Sequence, residues 1–183
     1  MPYTLEKFVA DCRAALSDNS SRKNREIVRA SLCQLLLEDD FVNDNCWPKL
    51  DAGTSLLYHD RDLGFQIVAY IMGDAYEGGP HDHGSSWAIY GQAVRYTDMT
   101  EWARVDDGSK DGFAKIEKAR EYRLERGDAG IFDDHQIHSI SYPSGACFIR
   151  VTGTDLSTIK RGRFNPKKNT VSLTKRENFS GSS

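Results

Sequence analysis

The sequence predicts a mainly β protein: a small barrel or jelly roll of seven or eight strands preceded by two helices. Three observations carry this expectation. After Trp47-Pro48 the chain breaks into short runs rich in β-branched and aromatic residues. Gly, Asp and Pro separate those runs. Before that point, apolar residues recur at helical spacing instead of alternating. A chain of 183 residues suits one structural domain, divided into helices over 1–50, a barrel over 51–160 and a polar tail over 161–183.

From Thr4 to Leu16 the apolar positions Leu5, Phe8, Val9, Cys12 and Leu16 form one helical stripe, with Thr4 placed to cap the first turn. Ile27, Val28, Leu32, Leu35 and Leu36 form a second stripe over Ser21 to Glu38. Strands are expected at Ser55–His59, Gly64–Met72, Ser85–Tyr96, Phe113–Leu124, Ala129–Phe132, Gln136–Tyr142 and Ala146–Thr152. Hairpin turns are offered by Asp106-Asp107-Gly108, Asp111-Gly112, Arg126-Gly127-Asp128 and Pro143-Ser144-Gly145. Beyond Phe164 the chain turns to Lys, Arg, Asn and Ser with few apolar anchors, and a loosely attached tail is expected.

A formal charge of −3, from 24 basic and 27 acidic residues spread along the chain, offers no strongly basic face. Nucleic acid and anionic membrane are therefore not expected as partners, and a small molecule is. The four cysteines show no CxxC spacing and suit reduced thiols, with Cys147 an inert strand residue. The opening MPYTLEKFVADCRAAL is charged throughout, and no later stretch approaches the ~18 apolar residues of a membrane span. A soluble, cytoplasmic protein is expected. The N-terminal helices could equally form a homodimer surface, which the sequence leaves open.

The segment GGPHDHGSSWAIYGQ, residues 78–92, places His81 and His83 one residue apart. On a strand both would face one side, with Cα atoms about 6–7 Å apart, while Asp82 would point away. Two neutral imidazoles so placed can share a divalent ion, because nitrogen donors suit Fe, Zn, Cu and Ni. A polar turn after Gly-Gly-Pro would explain the pair as well. The weight comes from a second segment, ERGDAGIFDDHQIHSISYPSG over 125–145, which supplies His135 and His138.

Gly127 stands eleven residues before His138, and HDH is followed by Gly91. These two patterns resemble the two motifs of the cupins, over roughly residues 54–156. The resemblance implies a jelly-roll barrel, the double-stranded β-helix, with His81, His83 and His138 holding one metal. The glutamate that usually follows the second motif histidine by four or five residues is replaced by Trp87 or Ala88. A cupin with three histidines and no motif glutamate is similar to the thiol dioxygenases, which also begin with helices. In that group a Cys-Tyr cross-link and a Ser-x-His-x-Tyr relay complete the site. Here Ala88 occupies the cross-link position, and Phe148, Arg150 and Thr152 occupy the relay positions.

Strand parity supplies the remaining candidates. Tyr142 shares a face with His138 and is either a packed aromatic or a phenol within reach of the metal. His135 lies on the opposite parity and suits a turn or a hydrogen bond to a ligand better than ligation. Arg150 either pairs with Asp128 or Asp155, or meets an anionic substrate group, because an unpaired guanidinium is expensive to bury. Trp87, with Ile89, keeps the parity of the histidines and is expected to wall the pocket, with Arg95 farther along. The implied cofactor is Fe(II), with Zn, Ni or Mn as alternatives, and the implied reaction is O2-dependent oxidation of a small thiol or other small anion. An O2-independent metal isomerase, lyase or hydrolase and a non-catalytic ligand-binding cupin are the competing readings.

Overall fold

The computed structural model describes residues 2–46 and 51–175. Three helices come first: α1 (Leu5–Leu16), α2 (Arg22–Leu35) and α3 (Asp39–Asn45). The Thr4 and Ser21 side chains cap α1 and α2 by accepting the N–H groups of Lys7 and Asn24. The short α3 was not expected. Its Phe41 and Val42 extend the apolar stripe of α2 around a bend.

Eleven strands follow: β1 (Gly53–His59), β2 (Gln66–Ile71), β3 (Tyr76–Glu77), β4 (Ala88–Val94), β5 (Thr97–Arg104), β6 (Ile116–Leu124), β7 (Ala129–Phe132), β8 (Ile137–Tyr142), β9 (Cys147–Thr152), β10 (Lys160–Asn165) and β11 (Thr170–Lys175). One antiparallel sheet has the order β1-β2-β9-β4-β7 and the other β3-β8-β5-β6. The eight strands β2 to β9 thus wrap in nested pairs, 2 beside 9 and 3 beside 8, which is the double Greek key of a jelly roll. The expected fold class is therefore the observed one. The segments 126–128 and 143–145, expected as hairpin turns, instead carry the chain from one sheet to the other.

The central strands β4 and β9 are buried on both faces. On the outer face, Ile67, Ala69, Ile89, Ile149 and Val151 pack with Phe8, Cys12, Val28, Leu32 and Leu36 of the helical layer. On the inner face, Tyr70, Tyr90, Phe132, Tyr142 and Phe148 fill the space between the sheets. Gly91 is the contact point of α2, since a Cβ there would lie 2.5 Å from Leu36 Cδ1 and 2.7 Å from Leu32 Cδ2. Arg13 of α1 pairs with buried Asp60 and reaches Asp62 at 3.0 Å, which ties the helices to the β1–β2 turn.

The expected polar tail is not loose over its described part. Residues 160–175 form the β10–β11 hairpin, whose backbone accepts and donates hydrogen bonds at Pro80, Asp82 and Gly112. Its composition misled because a hairpin satisfied by backbone bonding at a surface needs few apolar anchors. Residues 176–183, and the Trp47-Pro48 boundary, lie outside the described residues. No described helix is long and apolar enough to cross a membrane.

Candidate metal centre

His81 and His138 come together because their backbones pair: each N–H donates to the other's carbonyl at 2.9 Å. On its other side the same segment pairs with β10, where the Asp82 N–H meets the Gly162 carbonyl at 3.1 Å. The Asp82 side chain locks this arrangement. Its Oδ1 accepts the N–H of Gly84 at 2.9 Å and that of Gly162 at 2.7 Å. The HxH segment is thus an extended bridge held between β8 and β10, not part of a regular strand.

The three rings converge, with centroid separations of 4.6 Å for His81–His138, 4.8 Å for His83–His138 and 5.6 Å for His81–His83. One ligating nitrogen from each lies within 4.8 Å of the others. His81 is the half-buried member, and His83 and His138 are buried. Nδ1 of His81 lies 3.1 Å from the Gly79 carbonyl and donates to it, which leaves Nε2 with a free lone pair. His138 is fully buried, yet neither of its ring nitrogens has a hydrogen-bond partner.

Burial is the main force on these imidazoles, and it disfavours their charged forms. His81 is pushed down to about 4, with the positive charges of Arg161, Arg163 and Arg150 adding to desolvation. His83 and His138 are pushed well below the ordinary histidine value by desolvation first and by neighbouring cationic groups second. Three neutral nitrogen donors that need no deprotonation, the one on His138 orphaned in the interior, fit a borderline divalent ion. The cluster holds no carboxylate. Glu101, in register with His138, faces the Tyr122 hydroxyl instead.

The other expected site residues divide. Arg150 lies on the inner face with Phe148. It is buried, with its Cζ 4.7 Å from the Tyr70 ring centroid and 6.0 Å from that of Tyr90, and its Nε is unpaired. Among the described residues no carboxylate pairs with it, Asp128 and Asp155 included. Tyr142 also faces inward but packs between Tyr76, at 5.4 Å, and Phe148, at 5.9 Å, with no ring contact to the histidines. Burial, then the charges of Tyr76 and Tyr90, push its hydroxyl up to about 12, so it stays protonated.

Two expectations fail on geometry. Trp87 packs on the outer face against the helices, with Arg25 over its ring, and Ile89 does the same. The parity argument breaks at a turn: the Ser86 N–H returns to the His83 carbonyl at 3.2 Å, with Gly84 at φ +58°. A side chain at Gly84 would also strike the Lys160 carbonyl, 2.2 Å from an ideal Cβ. Arg95 sits exposed in the β4–β5 turn at φ +60°, away from the interior. His135, also left-handed at φ +58°, falls in a turn as expected, its largely exposed side chain outside the ring cluster with Nδ1 4.0 Å from Asp82 Oδ2.

The turn that expels Trp87 brings in Tyr90, which the sequence reading missed. Its hydroxyl lies 3.1 Å from Nε2 of His83, and its ring stands 5.7 Å from His138. The usable signal was Tyr90's position two residues after Ala88, on the same inner face.

The arrangement is that of a jelly roll with a three-histidine candidate metal centre at one end of its interior. No protein-family model and no curated protein matches the chain. Similar solved structures include a cupin superfamily protein from Desulfitobacterium hafniense DCB-2, 15% identical over 57% of this chain and 79% of that one, with a TM-score of 0.41. KdgF from Halomonas sp. is 16% identical over 60% of this chain and 86% of that one, with a TM-score of 0.41. A conserved protein with a double-stranded β-helix domain from Klebsiella pneumoniae is 14% identical over 74% of this chain and 95% of that one, with a TM-score of 0.39.

Proposed function

We propose that this chain is a non-haem iron-dependent dioxygenase of the cysteine dioxygenase-like cupin type. It oxidises a small thiol or another small anionic metabolite with O2. The observation that carries the reading is the trio of uncharged imidazoles, in which both nitrogens of buried His138 lack any partner. His81, His83 and His138 would hold Fe(II), with Zn, Ni or Mn as the alternative occupants. Iron held there supplies a redox centre with open coordination positions.

The remaining work falls to the chain's own groups. Arg150, buried without a carboxylate, binds the anionic group of the substrate and orients it toward the histidines. The rings of Phe132, Phe148 and Tyr90 keep bulk water from the space beside His138. Half-buried His81, next to Gly78-Gly79-Pro80, marks the side from which solutes enter. A soluble, cytoplasmic setting and O2 as the second substrate belong to the same proposal.

Strand β9 carries Phe148, Arg150 and Thr152 in place of a Ser-His-Tyr relay, and this favours one second reading, an O2-independent isomerase, lyase or hydrolase. Oxygen consumption by the Fe(II)-loaded protein, offered a panel of small thiols, diketones and hydroxy acids, separates the two. Uptake that requires Fe(II) and vanishes in His138→Ala is the expected result. Turnover that continues without oxygen overturns it in favour of the second reading.

A further inference from the structure

We propose that Tyr90 is a fourth protein ligand of the metal, its phenolate oxygen standing in for the carboxylate that the cluster lacks. The inference rests on the metal reading of the three histidines and deepens it. The Tyr90 hydroxyl is 3.1 Å from Nε2 of His83. Two donors that bind one ion at 2.0–2.2 Å and at right angles stand about 2.8–3.1 Å apart. The observed separation is that of a hydrogen bond, and it also lies in the range that two neighbouring ligands of one ion require.

The surroundings suit an anionic oxygen. Tyr90 and Arg150 are direct partners across the β4–β9 ladder, and the guanidinium lies 6.0 Å from the Tyr90 ring centroid. Arg150 has no carboxylate to neutralise it among the described residues. A phenolate at Tyr90 lies beside that buried charge, which favours it, and reduces the net charge of a divalent centre by one. Ala88, on the same face two positions earlier, is too short to ligate, and the longer phenol spans the gap from Tyr90. The ring itself is fixed at 5.7 Å from both Phe132 and Phe148, so the oxygen is presented without rotamer search.

Ligation is a proton exchange with no change in oxidation state. The Oη–H bond breaks, the proton passes to solvent, and the oxygen lone pair forms the bond to the ion. Two measurements on the full chain test it, both independent of turnover. Reconstituted with Fe(III), the wild-type protein is expected to show a phenolate-to-iron charge-transfer band in the visible, lost entirely in Tyr90→Phe while iron stoichiometry is retained. Titrated with Zn(II) in weak buffer, wild type is expected to release about one proton more than Tyr90→Phe.

Tyr90→Phe keeps the ring packing, and its unchanged far-UV spectrum serves as the folding control. A wild-type protein that binds iron without the band, or a band that survives in Tyr90→Phe, overturns the ligand assignment and leaves the histidine centre standing. Absence of stoichiometric metal uptake by wild type overturns both.

Discussion

The two faces of the five-stranded sheet are made from alternate residues of the same strands, and they are built to different ends. On β9 the odd positions Cys147, Ile149 and Val151 join the helical layer, while the even positions Phe148 and Arg150 enter the barrel. On β4 the outer residues Ile89 and Ala93 are aliphatic, whereas Tyr90 reaches toward His83. The outer face is packed with apolar side chains, its nearby charges being Arg25 over Trp87 and the Arg13–Asp60 pair, and it gains its stability from close packing of branched side chains. The inner face retains a buried guanidinium with an unpaired Nε and a buried imidazole, His138, with two partnerless nitrogens, which a protein tolerates where a ligand completes them. One face stabilises the fold, and the other holds polar groups whose burial costs stability.

Substitutions on the two faces should separate along this line. Ile149→Ala, on the fully buried outer side, is expected to destabilise the protein by about 2–5 kcal/mol in urea unfolding while leaving metal stoichiometry unchanged. A loss of metal in the folded variant would erase the division between the faces. Arg150→Met on the inner side should do the reverse. Removing an uncompensated buried charge is expected to raise metal-free stability by about 1 kcal/mol or more, with weaker binding of anionic ligands. A destabilised Arg150→Met would mean that the guanidinium belongs to the structural core.

Acidification also acts through the inner face. The fold holds His81 at about 4 and His83 and His138 well below the ordinary value near 6.5. As pH falls below about 6.5 the unfolded chain takes up protons that the folded chain refuses, so stability present above that pH is lost as it drops toward 4. Thermal melts of the metal-free protein should fall across this window, and less steeply in His138→Ala. Equal slopes in the two proteins would count against the buried, neutral trio.

What was legible in the sequence follows the same physics. Alternation along a regular strand placed Arg150 and Tyr142 inside correctly, because β8 and β9 run without interruption. It failed for Trp87, because one left-handed glycine between His83 and β4 exchanges the two faces. The convergence of His81, His83 and His138 was visible from two spaced motifs, whereas Tyr90 lies inside the first of them at a position the pattern does not mark. Strand β5, TDMTEWAR, was missed because its outward residues are polar and give no continuous apolar run. The pair β10–β11 was missed for a related reason: its value lies in backbone groups that meet Pro80 and Asp82, and backbone bonding leaves no mark on composition.

That last pairing orders events during synthesis. The loop bearing the first two histidines is fastened on one side by Gly162, so it stays unfastened on the nascent chain until β10 has cleared the ribosome. Capture of an ion at the proposed centre would accordingly be a late step, with the apolar helical layer and most of the barrel already available to form beforehand. A pause in translation before residue 160 would yield an assembled scaffold that cannot yet retain its cargo.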